Sequence, residues 1–269
     1  GFQRATVESS ALRAVGREYM AVCAPTRHSF HPKVWLMIGD GKAALLVGSG
    51  NLTQSGFMDN CELFDVIEFE EKGLYKTVAT DVISFLNGLR SLWSGVDSRR
   101  LLAIETLDEM RRQIEHLANR MPDEVDPDIR FLSNFSAPLI EQFGAFFGGG
   151  TLHVAAPYFG GGADGVELLQ SELRPESTRV FPAVHGGNEL DISISDLEAI
   201  PGVSVHSLKM ATKNSFAHLK AYGFDSTGGQ WMFTTSANCT LAALGGDKVE
   251  AGLLRRVDQQ VLAEYFAEQ

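Results

Sequence analysis

An internal repeat constrains this chain more than any other feature of its 269 residues. A histidine followed two positions later by a lysine occurs twice, as HPK at 31–33 and as HLK at 218–220. In both places there follow a turn, a second strand-like run and a loop of small residues ending in asparagine, GSGN at 48–51 and TSAN at 235–238. The histidine and the asparagine are 20 residues apart in both copies. Features matched in one register indicate two copies of one structural unit.

The spacing of the repeat predicts which side chains lie together. Residues i and i+2 of a strand face the same side of a sheet, so the histidine and lysine of each copy project together. The hairpin strand that follows returns the asparagine loop to the same end of the sheet. A glutamate stands 11 residues after the first asparagine and 12 residues after the second. The candidate catalytic residues of the two copies are His31, Lys33, Asn51, Glu62, His218, Lys220, Asn238 and Glu250.

This combination of groups fits the cleavage of a phosphodiester. One neutral imidazole can attack phosphorus in line while the other, protonated, gives its proton to the leaving oxygen. The lysines and asparagines would hold the non-bridging oxygens as charge develops, so the site needs no metal and no cofactor. Nearby hydroxyls and a lysine-bearing loop supply candidate substrate contacts, although ordinary loop charge explains the two lysines equally well. These candidates are Ser49, Thr235, Ser236, Lys209 and Lys213.

The two motifs resemble the HxK…GSxN motif of the phospholipase D superfamily. Copy one adds the companion Asn60-Cys61-Glu62, and copy two adds Asp225 seven residues after its histidine. The resemblance implies two lobes, each with a mixed β-sheet flanked by helices, and a covalent phosphohistidine intermediate. It also implies that each glutamate orients a histidine, without assigning which glutamate serves which lobe.

Copy one departs from the family pattern. Ile38 stands where the aspartate belongs, and Asp40 comes two positions too late. Superfamily members that process DNA ends or cut DNA also manage without that aspartate, so the loss favours nucleic acid over phospholipid. Few residues precede His31, so we also expect part of the first lobe to be missing, trimmed or unusual.

The pattern of elements indicates an α/β protein made of two pseudo-symmetric lobes with the active site at their interface. We place the first lobe and its connecting helix at 1–120, a Pro- and Asp-rich linker at 121–128, and the second lobe at 129–269. Within these lobes the sequence predicts a helix over 8–19, a strand over 19–24 and a helix over 136–147.

Aromatic and further histidine residues lie near the repeats. Trp35 alternates with Lys33 on its strand and could stack a base, as could Tyr158, whereas Phe159 is expected in the core. His153 and His206 stand in apolar strands, where hydrogen-bonded core residues are the usual case.

The formal charge of −11 argues against coating nucleic acid or anionic lipid by bulk charge. Attraction must then be local, from cations focused in a cleft, with additional domains or subunits of a larger assembly supplying affinity. Three cysteines without a CxxC pair favour a cytoplasmic setting, and no apolar stretch predicts a membrane span. We expect a metal-independent nuclease acting on nucleic acid, DNA before RNA. The alternatives are a phospholipid hydrolase or phosphatidyl transferase, and a catalytically idle nucleic-acid-binding module of a larger restriction, repair or helicase-linked protein.

Overall fold

The structure, a computed structural model, describes residues 24–26, 29–39, 41–71, 73–93, 98–124, 127–183, 190–208 and 216–268. For residues 98–100 it describes the backbone alone. The helix predicted over 8–19, all but the last residue of the strand predicted over 19–24, and the loop lysines Lys209 and Lys213 lie outside these residues.

The first copy of the repeat folds into three antiparallel strands in the order β1-β2-β3. Their bounds are Val34–Gly39 for β1, Lys42–Gly48 for β2 and Phe64–Glu70 for β3. Between β2 and β3 the chain makes a single π-helical turn, Ser55–Asp59. Alternate residues such as Leu45, Val47 and Phe69 are buried on one face, as the period of two requires. Two helices, α1 (Lys76–Ser91) and α2 (Ser98–Ala118), follow β3 and pack against each other.

The second copy lies within a seven-stranded mixed sheet of order β4-β10-β9-β8-β5-β6-β7. The strands are β4 (Ile129–Ser133), β5 (Thr151–Ala156), β6 (Ser177–Pro182), β7 (Val203–Val205), β8 (Ala221–Ser226), β9 (Gly229–Thr235) and β10 (Ala251–Val257). Strands β5, β6 and β7 are parallel, and the remaining pairs are antiparallel. The hairpin β8–β9 followed by β10 repeats the order and the direction of β1, β2 and β3.

Short helices surround the large sheet. They are α3 (Leu139–Phe143), α4 (Asp164–Leu173), α5 (Ile194–Glu198), α6 (Leu241–Leu244) and α7 (Gln259–Tyr265). The prediction of one helix over 136–147 is wrong in its length. Pro138 is still extended, with φ −49° and ψ 138°, and the helix ends at Gly144, a residue that disfavours continuation. Phe143 on α3 packs against Tyr222, Phe224 and Phe233. These aromatic residues belong to the hydrophobic core of the large sheet.

The two sheets meet along segments that precede their functional residues. One parallel bridge joins Phe30 to Val249, and a second joins Cys61 to Ala217. The predicted α/β class with two lobes is confirmed. Core residues of β4 and β10 join the cluster formed by β2, β3 and α1, so the division of the chain at 121–128 stays a prediction. In the described ranges, the helices are too short or too polar to cross a bilayer.

Candidate active site

Main-chain hydrogen bonds across the two lobes hold both histidines. The His31 amide donates to the Val249 carbonyl at 3.0 Å, and the His218 amide donates to the Cys61 carbonyl at 3.0 Å. Val249 directly precedes Glu250, and Cys61 directly precedes Glu62. A backbone hydrogen bond therefore fixes each histidine beside the segment that carries the glutamate of the opposite lobe.

The two glutamates are exchanged between the lobes as a result. His31 Nδ1 lies 3.0 and 3.1 Å from the two carboxylate oxygens of Glu250. His218 Nδ1 lies 2.7 Å from Glu62 Oε1. A carboxylate at Nδ1 requires a proton there, which leaves the lone pair of a neutral ring on Nε2. Both imidazoles are thus fixed in one tautomer, in which Nε2 is the atom that can act as nucleophile or base.

Buried hydroxyl groups hold the glutamates in turn. Ser49 donates to Glu62 Oε2 at 2.6 Å, and Ser236 donates to the carboxylate of Glu250. Asn60 adds a third hydrogen bond, from Nδ2 to Glu62 Oε1 at 3.3 Å. Burial raises the pKa of Glu62, but the hydrogen bonds from His218, Ser49 and Asn60 outweigh it, so the pKa lies below its usual range. The carboxylate therefore stays ionised beside its histidine.

A lysine stands at each histidine. Lys33 Nζ lies 2.8 Å from His31 Nε2, and Lys220 Nζ lies 3.2 Å from His218 Nε2. Both ammonium groups also donate to the backbone carbonyl of their own histidine. Lys220 has no exposed surface, and Lys33 keeps only 7%. These contacts hold each lysine amine against the ring and the backbone of its own histidine.

The pKa values of both lysines lie far below the usual range. Burial lowers the pKa of Lys33 to about 8, and the charges of Glu250 and Glu62 only partly offset it. Burial and the neighbouring Lys33 lower the pKa of Lys220 to about 7, against the same two carboxylates. Desolvation disfavours the charged form of an amine, so an anion entering the site would favour protonation again.

No protein-family model matches the sequence, and no curated protein matches it. Solved structures do match. A single-residue mutant of yeast tyrosyl-DNA phosphodiesterase 1 gives a TM-score of 0.55 at 13% identity, covering 93% of this chain and 71% of that chain. NucT from Helicobacter pylori gives a TM-score of 0.35 at 16% identity over 51% of this chain and 90% of that chain. Polyphosphate kinase from Porphyromonas gingivalis gives a TM-score of 0.41 at 12% identity over 87% of this chain and 32% of that chain.

The phosphodiesterase match extends over nearly the whole chain and so includes both copies of the repeat. That phosphodiesterase is a member of the phospholipase D superfamily. The chain has the phospholipase D fold. The resemblance inferred from the repeated motif is confirmed at this level.

Within this phospholipase D fold the two half-sites differ in exposure. The His31 side chain is 31% exposed, whereas that of His218 is 11% exposed. Asn51 is exposed, and Asn238 is half-buried with an Oδ1 atom that lacks a hydrogen-bond partner within the described part of the chain. The chemical set is symmetric, but access to it is greater on the His31 side.

Three predicted substrate contacts have other partners in the phospholipase D fold of this chain. Ser49, Ser236 and Thr235 have no exposed surface. The two serines bond to glutamates, and Thr235 donates to the Ala251 carbonyl at 2.9 Å. Their hydroxyls therefore lie behind the reacting groups rather than in an open cleft.

The remaining candidates divide between site and core. Tyr158 is 38% exposed, and its ring centroid lies 6.1 Å from that of His218, while Phe159 is buried as predicted. His153 is buried and stacks on Phe266, and its Nδ1 lacks a hydrogen-bond partner among the described residues. His206 pairs with Glu268, away from the site. Sequence reasoning missed the position of Asn60 on Glu62, although the Asn-x-Glu spacing was the available signal.

Proposed function

We propose that this protein is a metal-independent phosphodiesterase, and specifically a nuclease that acts through a phosphohistidine intermediate. One observation carries the proposal: two histidines, each with a glutamate on Nδ1 and a lysine near Nε2, come together where the lobes meet. Phosphoryl transfer needs a nucleophile, an acid and charge stabilisation, and this set contains all three.

In the proposed reaction His31 is the nucleophile and His218 is the general acid. His31 Nε2 attacks phosphorus and forms the N–P bond, while the P–O bond to the leaving group breaks. His218 gives its proton to that oxygen, then takes a proton from the water that hydrolyses the phosphohistidine. Greater exposure of His31 supports this order, because the nucleophile must be reached by phosphorus and the intermediate by water.

Charge stabilisation falls to the lysines and asparagines in this proposal. Lys33 turns from His31 Nε2 to a non-bridging oxygen when a phosphate enters, which frees the lone pair for attack. Lys220 holds the opposite side. Ser49 and Ser236 act as positioning residues, because each fixes the glutamate that fixes a histidine.

Nucleic acid is the proposed substrate, DNA before RNA, in a cytoplasmic setting and with further domains or subunits adding affinity. The missing aspartate of copy one, Ile38 in its place, supports a nucleic-acid substrate over a phospholipid. Trp35 and Tyr158 lie near the site and can face bases.

The test is cleavage in EDTA of labelled single-stranded DNA, duplex DNA, RNA and phospholipid vesicles. Wild type should cut DNA, and His31→Ala should lose at least about a thousandfold in rate, as removal of a nucleophile does. His116→Ala is the matched control, because His116 is an exposed histidine on α2 and should leave the rate unchanged.

The intermediate is tested by quenching with denaturant and mapping the phosphoprotein. An acid-labile, alkali-stable adduct on His31 is expected, and an adduct on His218 would reverse the assigned roles. Complete dependence on Mg²⁺ would contradict the mechanism. Cleavage of lipid alone, or binding of DNA without turnover, would point to the two other functions considered for this chain.

A further inference from the structure

A groove opens beside His31. It encloses about 290 Å³, and its walls include Phe30, Trp35, Asn51 and Leu52. His31 and Lys33 of the candidate catalytic set also line it. The groove thus combines large apolar side chains with the amine of Lys33.

The apolar side chains of the groove are exposed to an unusual degree. Phe30 is 40% exposed and Leu52 is 78% exposed. Large apolar side chains grouped at the mouth of a polar site mark a binding surface more often than chance exposure. The cost of leaving them in water is offset when a ligand covers them.

The pseudo-symmetry provides an internal comparison. The residues equivalent to Phe30, Leu52 and Trp35 in copy two are Ala217, Cys239 and Tyr222. Cys239 and Tyr222 are fully buried, and alanine is too small to form a wall. The groove therefore belongs to one half of the site and gives the substrate a direction across it.

Its walls are held in place by the surrounding structure. Phe30 is fixed by its backbone bridge to Val249. Trp35 packs edge-on against Phe57 at 6.0 Å and Phe64 at 5.7 Å. Such prior organisation lowers the entropy lost when a flat ligand binds.

The Leu52 wall is fixed by its own loop. The Thr53 amide donates to the Asn51 carbonyl at 2.8 Å, and the Gly56 amide donates to Thr53 Oγ1 at 3.1 Å. A Cβ atom at Gly56 would lie 2.3 Å from the Asn51 carbonyl oxygen, so the loop closes tightly at a position that requires glycine.

We propose that this groove binds one unpaired nucleobase next to the scissile phosphate, so that the substrate is single-stranded at that position. The inference rests on the proposed nuclease function. It adds that the substrate is single-stranded at the site and crosses it in one direction. A planar base covers the aromatic and aliphatic walls, while its phosphate reaches Lys33. A paired base inside a duplex is stacked and cannot enter such a groove without being extruded.

The base lies on the side of the group that stays on phosphorus. In-line attack by His31 places the leaving oxygen opposite, towards His218. The groove beside His31 therefore holds the retained portion of the strand, and the His218 side faces the portion that departs.

The experiment measures equilibrium binding by fluorescence anisotropy in EDTA, with a labelled single-stranded DNA 12-mer and an abasic strand of the same length. A His218→Asn background slows turnover during the measurement. Phe30→Ala should weaken binding of the normal strand by roughly 5- to 150-fold, the range for loss of one stacked base. The abasic strand should bind weakly to both proteins and be indifferent to Phe30→Ala.

Two further variants complete the test. Leu74→Ala truncates a leucine on the same lobe that is 62% exposed and outside the groove, and it should bind like the parent. Phe30→Leu keeps apolar bulk without a flat ring and should show an intermediate loss. Circular dichroism of each variant reports its folding.

Failure of this inference differs from failure of the proposed function. Cleavage by wild type with equal binding by the Phe30→Ala and Leu74→Ala variants would overturn the groove assignment and leave the nuclease standing. Tight binding of the abasic strand, or equal binding of a duplex that ignores Phe30→Ala, would overturn it too. A loss on Phe30→Ala without cleavage by wild type would support the groove and contradict the nuclease.

Discussion

Replacing Lys220 by methionine should stabilise the folded protein while removing one of the two site cations. Lys220 is fully buried, and burial together with the charge of Lys33 lowers its pKa to about 7. The same side chain in the unfolded chain titrates near 10.4. Folding therefore disfavours the charged lysine. The resulting loss in the free energy of unfolding is largest at a pH below the folded-state pKa. It is relieved as the pH rises from about 7 towards the unfolded value.

The size of the effect follows from proton linkage. Where the folded lysine is neutral and the unfolded lysine is charged, the unfolded state binds one more proton, and stability rises by about 1.4 kcal/mol per pH unit. Integrated from pH 6 to pH 9 with the two pKa values above, Lys220 adds about 2 to 3 kcal/mol to the rise in the free energy of unfolding. Methionine has a similar length and no proton to bind, so this contribution vanishes in the variant.

The assay is urea unfolding of wild type and Lys220→Met at pH 6, 7.5 and 9. The variant should be more stable than wild type, and its advantage should shrink by about 2 to 3 kcal/mol between pH 6 and pH 9. Lys42→Met is the control, because Lys42 is exposed and pairs with Glu70 on the surface. Parallel pH profiles for wild type and the Lys220→Met variant, or a variant less stable at pH 6, would refute the argument from burial.

Three further predictions concern catalysis and the contact between lobes. Glu62→Gln and Glu250→Gln should each lower kcat/KM by about 10² to 10⁴, because the tautomer and the imidazolium lose their carboxylate, and ¹⁵N NMR should show mixed histidine tautomers. The kcat/KM of wild type should fall as the pH rises through about 7 to 8, since the site lysines lose their protons there; a profile flat to pH 9 would contradict their role. Asp65 and Arg255 join β3 to β10, so a double-mutant cycle of Asp65→Asn and Arg255→Met should give a coupling of about 0.5 to 3 kcal/mol.

The chemistry of the candidate site was predictable from sequence because it is encoded locally. A strand period of two puts His31 beside Lys33, and a hairpin of fixed length returns Asn51 to the same end. The exchange of glutamates was not predictable. It depends on backbone bridges from Phe30 to Val249 and from Cys61 to Ala217, which join segments more than 150 residues apart and leave no periodic signal.

The same contrast holds for the fold. Long periodic segments such as α1 and β2 were predictable, whereas α5, α6 and the π-helical turn are too short to display a helical period. The two sheets also differ in exposure among the described residues. Met37 and Val66 are 57% and 51% exposed, while Phe224 and Leu254, their equivalents in copy two, are fully buried beneath helices. The two copies of the motif thus lie on sheets that differ in how far these side chains are buried.

An acidic chain can still hold a phosphodiester if the lysines of its site become fully protonated when the phosphate enters. With a formal charge of −11, the surface as a whole repels a polyanion at long range. Lys33 and Lys220 have pKa values near 8 and 7, so part of their charge is absent at neutral pH until a phosphate enters and favours protonation. Two such cations release few counterions, and for single strands the slope of log K against log salt is about −0.7 per phosphate neutralised. Both lysines are proposed to hold the same phosphate, so affinity should fall only gently with salt, with a slope of about −0.7. Discrimination must then come from the shape of the site and from contacts to bases rather than from the number of charges.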